Sequence, residues 1–310
     1  MNTDYELFVS IVEEGSMSAV ARRMNLSRPA VSKRLARLEE RLGAKLLHRT
    51  TRKLITTREG QSFYEEIAPV IAAAKEAEAR FTSRTGKLTG ELRIGTVNSL
   101  GRILLARMLG PFIQRYPDLR INIIVEDKPL DLLTSRIDVE ITFAPPSWQG
   151  VVVERLASDR RILCASPDYL ARRGVPAHPD ELGQHDILAS PVSFPWRLKG
   201  PDGSFSYHGK TLFITNSGEL PGAFAIAGMG IALRPVWAMI DELRSGRLVR
   251  ILPDYESDHY WSISAAWRAD RLPSASLDAL IAHLRQAFAG LDQEVDRQLA
   301  EIAPAAPPAA

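Results

Sequence analysis

Four residues near the start of one segment have the chemistry to read a base pair. Arg28, Pro29, Ser32 and Lys33 stand beside Val31, Leu35, Leu38 and Leu42, which recur at i, i+4, i+7 and i+11. That spacing predicts an amphipathic helix, with the four residues in its first turns and off the buried stripe. Arginine and lysine donate to the O6/N7 edge of guanine, and a proline ring can meet a thymine methyl. Arg34, Arg37, Arg49, Arg52 and Lys53 suit phosphate oxygens, which position a protein on the duplex without reading sequence. Ser27 and Thr51 complete the candidate DNA-contacting set. A basic helix is also what a solvated surface looks like. Here a turn of the right length, polar residues at the helix start and a basic hairpin occur together, and the combination favours DNA.

Charge supports the same reading. Between Met17 and Arg58 there are twelve basic and two acidic residues, a net +10, whereas the whole 310-residue chain carries +2 and the remainder therefore −8. A basic module on an acidic body points to a polyanion partner for one end only. The composition, 45% apolar and 25% charged, is that of a globular protein with a sizeable core. No run approaches the ~20 apolar residues of a membrane helix, and no secretory signal or lipid-inserting face is evident. Cys164 is the single cysteine, so no intrachain disulfide is possible and a bacterial-type cytoplasm is the expected compartment.

Enzyme chemistry needs a constellation, and none is legible. The six histidines (48, 178, 185, 208, 259 and 283) are scattered without metal-ligand spacing. There is no P-loop or G-x-S-x-G elbow, and Gly228-Met229-Gly230 lacks the third glycine of a dinucleotide fingerprint. Cys164 lies in an apolar strand and reads as a core thiol. The chain is expected to be no enzyme and to hold no metal or cofactor.

The elements that must position these residues follow from periodicity and capping. A first helix is expected over Asp4 to Glu13, a second capped by Ser16 and running to Met24, and a third capped by Ser27 with Pro29 in its first turn. That is a helix-turn-helix, followed by a hairpin, or wing, within Leu46 to Thr57. Thr56 and Glu59 have the spacing of a capping box opening a long helix. In it Phe63, Ile67, Val70, Ala74, Ala77 and Phe81 make a heptad seam suited to pairing with a second copy, interrupted by Pro69. Gly86 to Gly90 reads as a hinge. Strands are then expected at 92–95, 121–125, 139–143, 162–165, 212–215 and 231–233. Helices are expected at 103–115, 167–173, 221–227, 236–244 and 274–288. This alternation predicts an α/β domain with a largely parallel sheet, ended by a disordered tail at 301–310.

The run Gly15-Ser16-Met17-Ser18-Ala19-Val20-Ala21-Arg22-Arg23-Met24-Asn25-Leu26-Ser27-Arg28-Pro29-Ala30-Val31-Ser32 resembles the signature of LysR-type transcriptional regulators. The resemblance continues through Leu38-Glu39, Leu42-Gly43, Leu46-Leu47, Arg49 to Arg52 and Thr56 to Gly60, covering the N-terminal module. It departs at Met17, where the family usually has an aromatic, and at Arg28, where it commonly has glutamine. Arginine there shifts the expected preference toward guanine or phosphate.

The resemblance implies a winged helix-turn-helix over 1–58, a linker and dimerisation helix over 59–90, and an effector-binding domain over 91–300. That domain would resemble a periplasmic binding protein, with two Rossmann-like subdomains, 91–161 plus 268–290 and 162–267, and a small-molecule pocket between them. Ligands in such folds lie at strand C-terminal ends beside helix starts. Thr96, Asn98, Ser99, Lys128, Pro129, Phe143, Asn216 and Ser217 occupy those places, and Trp196 and Arg197 stand where they would close the pocket. The implied partners are promoter DNA, a small effector with a carboxylate, further copies of the chain as dimer or tetramer, and RNA polymerase. A DNA-binding architectural protein without a ligand is the alternative.

Overall fold

Ser16 and Ser27 set the N-terminal fold. Each holds extended backbone before a helix, and its Oγ accepts the N–H three residues on, from Ala19 at 3.2 Å and Ala30 at 3.3 Å. These caps satisfy donors that a helix start leaves unpaired. The computed structural model describes residues 3–49, 54–83, 87–128, 130, 132, 137–143, 149–190, 193–258, 262–270, 274–302 and 304–305. Helices α1 (Thr3–Glu14), α2 (Met17–Arg23) and α3 (Arg28–Leu42) enclose a core of Leu7, Phe8, Ile11, Val20, Val31, Leu35 and Leu38. Asn25 makes the α2–α3 turn at φ +52°, a left-handed conformation that asparagine tolerates. Leu42 is 36% exposed, so the apolar stripe stops a turn earlier than its spacing predicts, beside the Gly43 terminator.

The wing consists of β1 (Leu47–Arg49) and β2 (Leu54–Thr56), antiparallel with Leu47 opposite Thr56. Thr51, Arg52 and Lys53 lie outside the described residues. Helix α4 (Arg58–Ser83) runs through Pro69 without a break in its assignment. Its cap is Thr57, not the expected Thr56. Thr57 Oγ1 accepts Gly60 N–H at 2.9 Å and donates to the Lys45 carbonyl at 2.6 Å. Thr56 is still paired in β2, one residue too early to cap, and its hydroxyl meets the Gln61 side chain instead.

The C-terminal unit begins at Leu88. Its first sheet has the order β4-β3-β5-β15-β6, from β3 (Gly90–Thr96), β4 (Leu119–Val125), β5 (Val139–Thr142), β6 (Val151–Ser158) and β15 (Ser262–Arg268). The second has the order β11-β8-β12-β7-β13, from β7 (Arg161–Ala165), β8 (Ile187–Ala189), β11 (Phe213–Ile214), β12 (Ile231–Pro235) and β13 (Val249–Ile251). A small antiparallel sheet of β9 (Trp196–Gly200), β10 (Gly203–Tyr207) and β14 (Glu256–Ser257) attaches to the second half. Helix α5 (Ala106–Arg115) follows a π-helical stretch, Leu100–Leu105. The remaining helices are α6 (Pro167–Arg173), α7 (Leu220–Ile226), α8 (Val236–Arg244), α9 (Ala275–Phe288) and α10 (Leu291–Ala300).

The sheets are mixed rather than largely parallel. In each, three parallel strands adjoin two antiparallel pairings. The reversed strand is the one arriving from the other half: β7 enters the second sheet after the first crossing, and β15 enters the first after the second. The return therefore falls before Ser262, not after Trp267 as expected, and β15 belongs to the first subdomain. The tail also differs from expectation at its start. Pro304 bridges to Arg250 and Ala305 N–H donates to the Arg250 carbonyl at 2.8 Å, whereas 306–310 lie outside the described residues.

Among the described residues of this unit two acids are buried, Asp159 and Glu140. Glu140 on β5 is 2% exposed, its carboxylate meeting only the Leu130 N–H among its resolved partners, at 3.3 Å. Burial pushes its pKa up, and the Leu130 hydrogen bond only partly opposes this. With the folded value above the unfolded one, the stabilising contribution is full below about pH 4.3 and is lost as pH rises through the folded value. Glu140→Gln is therefore expected to raise stability at neutral pH and flatten its pH dependence. Urea titrations from pH 5 to 8 that superimpose for variant and parent would contradict this.

Candidate functional sites

Helix α3 presents its first turns to solvent. Arg28, Pro29 and Lys33 are exposed, Ser32 and Arg34 are half-buried, and Arg37 is exposed one turn further on. Val31, Leu35 and Leu38 hold the opposite side in the core. Wing and helix are tied by Glu39, which is 5% exposed. Its carboxylate accepts Lys45 Nζ at 2.8 Å, Leu46 N–H at 3.0 Å and Leu47 N–H at 3.4 Å. Burial opposes the charge, but the Lys45 ammonium and the two backbone donors outweigh it and hold the pKa below the usual glutamate value. Of the two acids between Met17 and Arg58, Glu39 is thus paired inside, which leaves Glu40 against twelve basic residues on that stretch.

The seam residues of α4 divide. Phe63 and Ile67 are half-buried on the module's own core, Phe63 lying 5.5 Å from the Tyr5 ring and 5.6 Å from Phe8. Val70 is 58% exposed and Ala74 half-buried. The side chains of Ala77 and Phe81 lie outside the description.

In the C-terminal unit the candidate effector residues have different fates. Thr96 is fully buried and its hydroxyl donates to the Ile141 carbonyl at 2.9 Å, so it joins β3 to β5 and is not open to a ligand. Trp196 is fully buried in the second subdomain's core and does not close a pocket. The alternation along β9 explains this: Trp196 and Leu198 face inward, Arg197 and Lys199 outward. Asn98 and Lys128 are exposed, and Pro129 lies outside the described residues. The Asn98 N–H donates to Asp127 at 3.0 Å, so this helix start already holds a carboxylate of the chain. Ser99 is 7% exposed and makes no capping bond. Asn216 is exposed, and Ser217 Oγ accepts the Glu219 N–H at 3.3 Å.

Around these lies a group that the sequence reading missed. Arg102, one turn beyond Ser99, donates to Glu219 at 3.0 Å, joining the first subdomain to the start of α7. Beside Glu219, the Gly218 carbonyl accepts Arg234 Nη1. Arg161 donates to Asp159 Oδ2 at 2.8 Å, while Asp159 Oδ1 accepts Trp237 Nε1 at 2.8 Å. Phe143 stacks on Trp237 at 6.0 Å with the Arg161 guanidinium 5.6 Å from its ring. The signal was an arginine in the apolar run Ile231-Ala232-Leu233-Arg234-Pro235. Cys164 on the neighbouring strand is fully buried, and burial pushes its thiol up to about 12, so it is inert as a nucleophile.

Residues 3–61 match the family described as bacterial regulatory helix-turn-helix protein, lysR family, and residues 85–289 match the LysR substrate binding domain. The HTH-type transcriptional regulator DmlR of Escherichia coli is 30% identical over 292 residues, spanning 92% of this chain and 94% of that protein. The HTH-type transcriptional activator TtdR of Escherichia coli is 31% identical over 265 residues, spanning 84% and 86%. Among solved structures, CrgA, a LysR-type transcriptional regulator from Neisseria meningitidis, has 26% identity and a TM-score of 0.55, over 96% of this chain and 99% of that one. Full-length AphB of Vibrio cholerae shares the fold at 24% identity and a TM-score of 0.60, over 92% and 98%.

Proposed function

The chain belongs to the LysR family of DNA-binding transcriptional regulators and is not an enzyme, and from that premise we propose how its own residues divide the work. Arg28, Pro29, Ser32 and Lys33 read base edges in the major groove. Arg34, Arg37, Arg49, Thr51, Arg52 and Lys53 hold phosphates. Ser27 does both structural and contact work, since its oxygen accepts the Ala30 N–H while its O–H remains to donate to a phosphate. The observation that carries this reading is the exposure of the first turns of α3 beside a wing fixed by Glu39.

A second copy pairs through the later seam of α4, from the exposed Val70 through Ala74 toward Ala77 and Phe81. A small effector bearing a carboxylate binds between the subdomains, near Asn98, Ser99, Phe143, Asn216 and Ser217, and its binding changes how paired modules present DNA to RNA polymerase. The match of 85–289 to a substrate binding domain disfavours a ligand-free architectural role. Among the described residues no helix is long and apolar enough to cross a membrane.

Arg28→Ala tests the base-reading assignment. It is expected to weaken operator binding by about 1–3 kcal/mol and binding to random DNA by less. Fluorescence anisotropy on both duplexes at one salt concentration measures this, and equal losses on the two would remove Arg28 from base readout.

A further inference from the structure

We propose that Arg234, backed by Arg161, anchors the carboxylate of a small organic acid at the junction of the two subdomains. This rests on the effector reading above and assigns it residues. The first argument is placement. All five residues of β12 are buried, and Arg234 among them is 6% exposed. A guanidinium carries a large desolvation penalty there, and buried structural arginines are normally matched by a carboxylate fork. Arg234 instead meets a neutral carbonyl, that of Gly218, through Nη1, and its buried Nε has no hydrogen-bond partner among the described residues.

The second argument is the balance of charge. Asp159, the buried acid nearby, divides its two oxygens between Arg161 and Trp237. Glu219 is turned toward Arg102 across the junction. Among the described side chains, two buried guanidiniums, those of Arg161 and Arg234, thus stand beside one fully buried carboxylate, that of Asp159. Burial first, then the Arg161 cation, draws the Arg234 guanidinium down to about 10, with Cys164, Asp159 and Glu219 partly offsetting the effect. One further carboxylate restores neutrality, and its two oxygens match the planar guanidinium fork better than one carbonyl does.

The third argument is what the anchor touches. Gly218 follows Asn216 and Ser217 on one subdomain, and Arg102 follows Asn98 and Ser99 on the other. An acid that takes the place of the Gly218 carbonyl on Arg234 acts where the Arg102–Glu219 pair joins the halves. Gly222 lets the chain pass close to the guanidinium, since a Cβ there would stand 3.1 Å from Arg234 Nε and from Met239 Sδ and Cε.

The test uses the full-length protein, with melting temperature and calorimetric Kd as readouts. The probes are acetate, succinate, malate and benzoate, their uncharged amides, and sodium sulfate at matched ionic strength. At least one acid is expected to raise the melting temperature where its amide does not, because a ligand that binds only the folded state stabilises it. Arg234→Met is expected to weaken that acid at least tenfold while melting, without ligand, no lower than the parent, since it removes an unmatched buried charge. If Arg234→Met does not fold, Arg234→Lys decides, because it keeps the charge and loses the fork. An acid that binds either folded variant as tightly as the parent overturns the assignment to Arg234 and leaves the carboxylate reading standing. Stabilisation by amides alone, or by no acid, overturns both. A response to sulfate alone identifies an inorganic-anion site and overturns the organic acid.

Discussion

Gly60→Ala is expected to unfold the DNA-binding module while the C-terminal unit stays folded. In an ordinary helix this change stabilises by up to about 1 kcal/mol, because alanine is the better helix former. Here the sign reverses. A Cβ at Gly60 would lie 1.9 Å from the Leu46 carbonyl oxygen and 2.7 Å from its carbon. Both are backbone atoms, and the same oxygen accepts the Thr57 N–H at 3.0 Å, so no flexible side chain can give way. The start of α4 would have to leave the wing, breaking the Thr57 cap and the packing of Phe63 on Tyr5 and Phe8. The cost is about 3 kcal/mol, the upper end for overpacking. Thermal melts followed by circular dichroism should lose the module's transition, and operator binding should vanish with it. A variant with normal melting and normal DNA affinity would show that the contact relaxes freely.

Glu39→Ala is expected to cost about 2–4 kcal/mol, because it strips acceptors from the buried Leu46 and Leu47 N–H groups. The Lys45 end contributes less, since that side chain is 77% exposed. The effect carries a pH signature. The folded pKa lies below the unfolded one, so the contribution is full above about pH 4.3 and is lost as pH falls through the folded value. The gap between parent and variant should narrow in acid and widen toward neutral pH. Glu39→Gln, which keeps an acceptor but no charge, should fall between them. A gap of constant size from pH 3 to 7 would exclude an ionised Glu39 as the tie.

The N-terminal module was legible because its signals are local. Ser16 and Ser27 cap where expected, Val31, Leu35 and Leu38 are buried, and the wing pairs. The misassigned cap shows the resolution of such reading: Thr56 and Thr57 look alike until β2 claims the first. Long-range relations were harder. Nothing local marks β15 as a member of the first sheet, because its partners on β5 and β6 lie more than a hundred residues earlier. Trp196 was misplaced because no strand is expected over 196–200, so the alternation that turns Trp196 and Leu198 inward along β9 has no element to be read on. Asp159 and Arg161 are two residues apart, but Arg234 and Trp237 come from a distant segment of the sequence, and only the fold brings the two segments together.

The position of β15 also bears on synthesis. It lies between β5 and β6, so the first sheet is interrupted until Ser262 to Arg268 have left the ribosome. The strands of the second sheet, from Arg161 to Ile251, are all complete before that point. The half that begins first in the chain must therefore close last, and until then β5 and β6 each expose an unpaired edge to the growing chain and its neighbours.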